Sequence, residues 1–547
     1  MSTAFVRQLG AESGVQLNPL RDNSEIPTTD NSDQVFGIMM RATRGRIDKP
    51  FAVDRGNVFK KLGNGEQIRL SALNEAWVHV VEALNKGAYQ AIIQRLAPAA
   101  AVIKWAVVTV NAETGKFAFA TSDTEPVTPY LFAVRHLECF NDGIKLEFRA
   151  EESSASGVLV DNDKITLRLR DKDGSLLYEF YGSLKSDAKD DYGNSAYLPD
   201  VALSQTDAVV IQTGVANANA VIDTESAAYG YDDSGKQKWV KSDVLVCFTE
   251  GGTSYTTQDY MGAREKLQYT QYDYAYISAG GTQSPALLAQ LAQLAFDTNR
   301  QLKFDIPGNL TPEAAVAFVN QLNMGASQTS HLMHAFWTPL KSDDPTGVNP
   351  NGYFGTATLN IAYACGRNAA KNAKGFAPKN YPIAGREWPI QRTRISQTYT
   401  LRDPELNALA RAKINPVVYE TYTGGGRYVF RDSLTCALVE SSLKKLISVA
   451  DMSTSIDDAV TRAAKDFLQL PMEACVKKLR DFLQDLFEGA EASKWLVPSS
   501  EPEMGGKSFI YDVRPNEQRP YDDVDVAYAL RYDGTARRIF VTQTLTK

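Results

Sequence analysis

The chain has 547 residues, 44% of them hydrophobic and 22% charged, which is ordinary globular composition and room for three or four domains. With 58 Lys and Arg against 65 Asp and Glu, the net charge is -7, which excludes a nucleic-acid binder that relies on a basic stripe. No stretch approaches the roughly 20 apolar residues of a membrane span, and the N-terminus lacks the charged and apolar regions of a signal peptide.

Residues 1–34 are polar and rich in Asn, Asp, Ser, Pro and Thr, and read as an extended arm that cannot bury a core alone. "VFGIMMRATRG" predicts a strand and turn, "LSALNEAWVHVVEALNKGA" an amphipathic helix stopped at Gly87, and "AYQAIIQRLAP" a second strand. From 100 to 240 short alternating runs such as "KWAVVTV", "KFAFATS", "GIKLEFRA", "KITLRLR" and "LLYEFYGSL" are separated by turn residues, the grammar of an all-β insertion.

From 241 to 395 the pattern is α/β. "YDYAYISAGGTQSPALLAQL" reads as strand, glycine turn and helix with Ser284 as N-cap. "LKFDI" reads as a half-buried strand, and Thr311-Pro312-Glu313 starts the next helix. Gly280, Gly281 and Asp305 fall where open α/β sheets bind ligands, but "SAGGTQSP" has neither the third glycine of a dinucleotide fingerprint nor the lysine of a P-loop. A tight turn beside a solvated aspartate is the preferred reading. "SHLMHAFW" reads as a buried strand, against a metal pair at His331 and His334. After about 396 come "INPVVYETYTGGGRYVFRD", helices between Leu434 and Glu488, "SFIYDV", and a closing hairpin of "DVDVAYALRY" and "IFVTQTLT" joined at Asp533-Gly534-Thr535.

Other motifs fail on inspection. Gly506-Lys507-Ser508 lacks the earlier P-loop glycine and precedes a strand, while Asp171, Asp173 and Gly174 have Leu169 and Phe180 where a calcium loop needs ligands. The five cysteines, Cys139, Cys247, Cys365, Cys436 and Cys475, contain no C-x-x-C pair and read as reduced core residues. No catalytic residue, cofactor site or metal site is expected. Helix 472–490 places Met472, Val476, Leu479, Leu483 and Leu486 inward and Lys477, Lys478 and Arg480 outward; such a face is ordinarily just solvated.

The ordered set of "FGIMMRATRGRIDKPFAV", "YAYISAGGTQSPALLAQL", "KFDIPGNLTPEAAVAF" and "ELNALARAKINPVVYETYTGGGRYVFRDSLT" resembles the contractile tail sheath family of tailed phages and related injection machines. The resemblance covers 35–98 and about 241–547. It implies a multidomain α/β and α+β chain: arm 1–34, first part of an inner core 35–99, outer all-β insertion 100–240, subtilisin-like α/β sheath domain 241–395, inner core 396–536 and a linking strand 537–547. It further implies a non-enzymatic virion subunit, assembled in the host cytoplasm, that stacks as hexameric rings on a tail tube and contracts to drive genome ejection, without cofactor, direct nucleic-acid contact or membrane insertion. Its expected partners are further copies of itself, the tail tube protein, and baseplate and tail terminator proteins. Neighbouring copies would be joined through the arm, around Phe5, Val6, Val15 and Leu17, and through the last strand, around Ile539, Phe540, Val541, Thr542 and Leu545. Lys477, Lys478 and Arg480 would face the tube. A tailocin or injection-system sheath fits the same residues, and a subtilisin-like hydrolase is the rival class.

Overall fold

The computed structural model describes residues 31–63, 75–110, 117–127, 130–150, 164–214, 239–347 and 351–544. Phe5, Val6, Val15, Leu17 and Leu545 lie outside these residues. Strand β1 (Val35–Met40) is buried throughout because both faces are covered: Phe36, Ile38 and Met40 join one core, Val35 and Met39 another. A continuous apolar run is the signature of such a strand. β2 (Phe51–Val53) and the short helix α1 (Val58–Leu62) follow, then α2 (Glu75–Lys86), whose Trp77, Val80, Val81 and Leu84 seal the first core, and β3 (Gln90–Arg95), parallel to β1.

The chain then leaves this sheet through a neck in which β4 (Val102–Ile103) pairs with β13 (Phe248–Thr249). Between them lie two four-stranded antiparallel sheets. One is ordered β11 (Val209–Thr213), β7 (Phe132–His136), β5 (Trp105–Val110), β6 (Phe117–Ser122). The other is ordered β10 (Leu176–Ser183), β9 (Lys164–Asp171), β8 (Ile144–Ala150), β12 (Val240–Lys241). Phe132 and Val134 of the first share a core with Phe148, Leu167, Leu169 and Phe180 of the second. The segment is not all β: helix α3 (Leu198–Gln205) packs Leu198 and Ala202 into the same core. Two buried residues in two turns are too few to produce a helical period in the sequence.

Back in the main sheet, α4 (Thr257–Gln268), which the sequence reading did not single out, is followed by β14 (Tyr276–Ser278), α5 (Pro285–Thr298), β15 (Gln301–Ile306), α6 (Pro312–Leu322) and β16 (Met333–Trp337), which alternate as predicted. Ser284 and Thr311 cap α5 and α6, accepting from the amides of Leu287 and Ala314. A small sheet of β17 (Leu340–Ser342), β18 (Gly352–Tyr353) and β19 (Ser396–Gln397) brackets α7 (Ala357–Asn368), and α8 (Asp403–Arg411) precedes the hairpin β20 (Ile414–Tyr422) and β21 (Gly425–Phe430). The main sheet runs β2-β3-β1-β14-β15-β16-β20-β21, parallel from β3 to β20 with antiparallel strands at both edges. One sheet thus joins segments that the sequence reading placed in three domains.

β15 is not half-buried as expected. All six residues are covered, because α7 lies on the face that carries Gln301, Lys303 and Asp305. At the C-terminal end, α9 (Ile447–Asp466) and α10 (Met472–Ala492) pack against a hairpin of β22 (Phe509–Pro515) and β23 (Val524–Leu530). This corrects the expected closing hairpin: Val524, Val526, Tyr528 and Leu530 do face the helices, but their partner strand is β22, and residues 533–544 belong to no strand.

Gly87 ends α2 at φ 132°, and a Cβ there would meet the Ala362 carbonyl oxygen at 2.7 Å. Backbone cannot retreat cheaply, so Gly87→Ala should cost about 1–3 kcal/mol from the strained φ alone, read as a lowered midpoint in urea unfolding.

Candidate functional site

The carboxyl ends of parallel strands are where a sheet of this kind would bind a ligand. Here that edge holds a small strand-end pocket of about 250 Å³, lined by Gly281, Gln283, Asp305, Asn309, Tyr353 and Gly355, and the protein itself supplies the groups a ligand would need. Gly280 and Gly281 turn the chain at φ 60° and 73°, and a Cβ on Gly280 would lie 2.9 Å from Ala76 and Ile38, so the glycine lets α2 close over the turn. Asp305 is buried rather than solvated, and its Oδ1 accepts from the amides of Thr356 and Ala357 at 2.7 and 2.9 Å. The carboxylate therefore occupies the amide end of α7, the position an incoming phosphate would use. Gly355 is required beside it, since a Cβ there would fall 2.2 Å from Asp305 Cγ.

The remaining chemical candidates are structural as well. His334 is buried, its Nε2 lies 3.0 Å from the His331 carbonyl, and burial pulls its pKa down to about 3, so the ring stays neutral. Among the described residues no group of three or more His, Cys, Asp or Glu could hold a metal ion. Ser508 donates to Glu491 at 2.9 Å and leads into β22 instead of a helix. Asp171 and Gly174 form the β9–β10 turn, in which the Gly174 amide donates to the Asp171 carbonyl at 2.8 Å. Cys139, Cys247, Cys365 and Cys436 are buried, which pushes each thiol up to about 12. Such thiols are inert.

Beneath the sheet lies a buried polar network that sequence periodicity did not reveal. Asp451 on α9 accepts from Arg367 of α7 at 2.8 Å, from the Tyr276 hydroxyl at 3.0 Å and from Gln301 at 2.9 Å. Lys303 donates to Asn360 at 2.8 Å and sits 4.9 Å from the Tyr276 ring centroid. Burial by itself would raise the Asp451 carboxyl, yet Arg367, Lys303 and Lys379 hold it well below the carboxylate range. A second buried pair, Glu82 with Arg392 at 2.6 and 2.8 Å, joins α2 to the segment after α7.

At the neck of the insertion, Arg44 bridges Asp142 at 2.6 Å and Asp171 at 2.7 Å and lies over Phe140. Arg95 donates to the carbonyls of Gly45 and Cys139 at 3.0 and 2.6 Å. Both arginines follow or end central strands, so the insertion is fastened to the sheet by buried charge.

Of the surface residues singled out in the sequence, Lys477, Lys478 and Arg480 are all exposed on α10, and Arg480 also reaches the β22 backbone, donating to the Val513 carbonyl at 2.6 and 3.1 Å. Arg537 is held by Asp432 at 2.8 Å; beyond it Ile539, Phe540 and Val541 are 82%, 87% and 88% exposed, and Thr542 is exposed too. Three consecutive large apolar side chains in water sit a few residues past a two-stranded sheet. The structure does not bring the tail, α10's lysines and the strand-end pocket into one site.

Burial pulls the Lys303 amine from 10.5 down to about 8. The folded state therefore binds its proton less well than the unfolded chain, and the resulting penalty is complete below pH 8 and fades as pH rises toward 10.5. Stability measured against Lys303→Met should climb across that window; a flat difference would contradict it.

No protein-family model matches the chain, and no curated protein matches it. Solved structures do. The sheath tail protein of Listeria innocua superposes with a TM-score of 0.51 at 11% identity, over 91% of this chain and 94% of that one. A sheath tail protein of Desulfitobacterium hafniense gives 0.46 at 13% identity over 91% and 96%, and the sheath of an extracellular contractile injection system, solved in its contracted state, gives 0.41 at 13% over 52% and 75%. The chain is a mixed α/β protein of several sheets with the fold of a contractile-tail sheath protein.

Proposed function

We propose that this chain is a structural, non-enzymatic subunit of a contractile tail sheath. The correspondence with the Listeria innocua sheath tail protein along nearly the whole of both chains carries the reading. The exposed Ile539-Phe540-Val541 tail supports it, because such a segment is a liability in an isolated subunit and useful in a polymer. On this reading the main sheet and its helices form the subtilisin-like sheath domain, the two sheets of 105–241 the outer insertion, and α9, α10 and β22–β23 the inner core.

Subunits would stack as hexameric rings around a tube, linked by the N-terminal arm (Phe5, Val6, Val15, Leu17) and by the tail residues Ile539 to Thr542 and Leu545. Two-stranded sheets are marginal alone, and strands added from neighbouring copies would complete β22–β23 by main-chain hydrogen bonds. Because that pairing depends little on side chains, it can persist while outer contacts rearrange. Contraction would then proceed from a metastable extended lattice to one with more buried apolar surface, each Å² contributing about 25 cal/mol. The partners on this reading are the sheath itself, a tube protein, and baseplate and terminator proteins, whether the machine is a virion that ejects a genome, a tailocin or an injection system. A subtilisin-like hydrolase has less support: Asp305 is spent as a helix cap and His334 is buried beside a backbone carbonyl.

Negative-stain microscopy of the recombinant chain tests the proposal directly, with tubes or rings expected and isolated globules with peptidase activity contradicting it. Val541→Pro should abolish polymerisation while circular dichroism and the melting temperature stay near wild type, and removing residues 537–547 should abolish it with the fold kept but the melting temperature somewhat lowered by loss of the Arg537–Asp432 pair. Sheath tubes built by the truncated chain would refute strand exchange.

A tube contact is assigned to α10 through Lys477 and Lys478, with Arg480 serving to hold β22. Exposed pairs of this kind are individually worth about 0–1 kcal/mol and are screened by salt, which suits a contact that must release. Lys477→Glu with Lys478→Glu should impair assembly around the tube without lowering the melting temperature, whereas Arg480→Glu should lower it. Unimpaired extended tails in the lysine variant would remove α10 from the tube interface.

A further inference from the structure

The described chain begins at Asn31, and Ser32 and Asp33 line a cleft of about 270 Å³ between α9, the loop 371–379 and the start of β15. Five cations, Arg300, Lys371, Lys374, Lys379 and Arg462, line the same cleft. Besides Asp33, the wall carries two carboxylates, both committed: Asp451 to Arg367, and Asp458 to Arg300 at 2.8 Å and Arg462 at 3.0 Å. Asp33 already lies on this surface, 3.5 Å from Lys371 and 3.7 Å from Lys379. Between the charges the floor is apolar, with Phe376, Ile456, Leu486 and Trp495.

The sequence that leads into the cleft is its complement. Residues 22–33, "DNSEIPTTDNSD", carry Asp22, Glu25, Asp30 and Asp33 with no Lys or Arg, and a single branched apolar side chain, Ile26, suited to the floor. From Glu25 to Asn31 the chain can span up to about 20 Å, enough to lay the remaining carboxylates across the opening.

We propose that residues 22–30, the stem of the N-terminal arm, dock in this cleft of their own subunit and continue the Asp33 contact onto Lys374 and its neighbours. The stem then fixes the direction in which the arm leaves the subunit. The contact is intramolecular and does not depend on the sheath reading; only the use made of the arm beyond residue 21 does.

Hydrogen exchange of the full-length chain, kept unassembled, tests this. At low salt the amides of 22–30 should exchange roughly tenfold more slowly than a free peptide, the sum of several weak screened pairs, and the protection should fall as salt is raised. Lys371→Glu with Lys374→Glu should remove it, and adding Glu25→Lys with Asp30→Lys should restore it. Equal exchange in wild type and the lysine variant would overturn the proposal, as would protection insensitive to salt. Protection present only after subunits assemble would assign the cleft to a neighbour's segment and overturn it equally. None of these outcomes alters the tests of polymerisation.

Discussion

Most of the architecture depends on one buried carboxylate. Asp451 projects from α9 into the space under β14 and β15, where Arg367, the Tyr276 hydroxyl and Gln301 converge on it. Removing one partner from such a cluster strands a charge in low dielectric at a cost of about 3–5 kcal/mol, while the intact cluster contributes little net stability. Its value is therefore positional. It admits one placement of the C-terminal helices against the parallel sheet, and through Asn368, which donates to both Tyr276 and the Asp33 carbonyl, it places the root of the N-terminal arm as well.

The same logic recurs at the other end of the sheet. Arg44 and Arg95 reach from the ends of β1 and β3 into the neck, and Glu82 with Arg392 locks α2 over the segment that follows α7. In each case a guanidinium spans two pieces of chain far apart in sequence with several donors in fixed geometry, which a lysine could not do. These contacts hold distant parts of the chain to one another through buried charge, a property that the proposed contraction would use to transmit force.

How much was legible follows from which signals are local. The caps at Ser284 and Thr311, the apolar run of β1 and the alternation of the insertion strands are written in adjacent residues, and the helices and strands formed there. β15 was misjudged because Lys303 and Asp305 carry the pattern of a solvated face and become buried only when α7, more than fifty residues later, supplies Asn360 and two free amides. The β23 partner was misassigned for a similar reason: its inward face was clear, but "SFIYDV" and "IFVTQTLT" are equally good strands, and only the packing of Phe509 and Tyr511 against α10 selects between them. Arg480 is outward as helical spacing indicates, but the carbonyl of Val513 that engages it lies on a strand no periodicity could place.

The two-stranded neck brings the chain out and back at Val102–Ile103 and Phe248–Thr249, adjacent positions on the rim of the sheet. The unit beyond it is in that sense an exchangeable cassette: a different outer module could be grafted at these two points without rerouting any strand of the main sheet. The graft carries a condition, because Arg44 would lose Asp142 and Asp171 together. A replacement that leaves that guanidinium buried without an acid would destabilise the host, so viable cassettes must bring their own carboxylates to the junction.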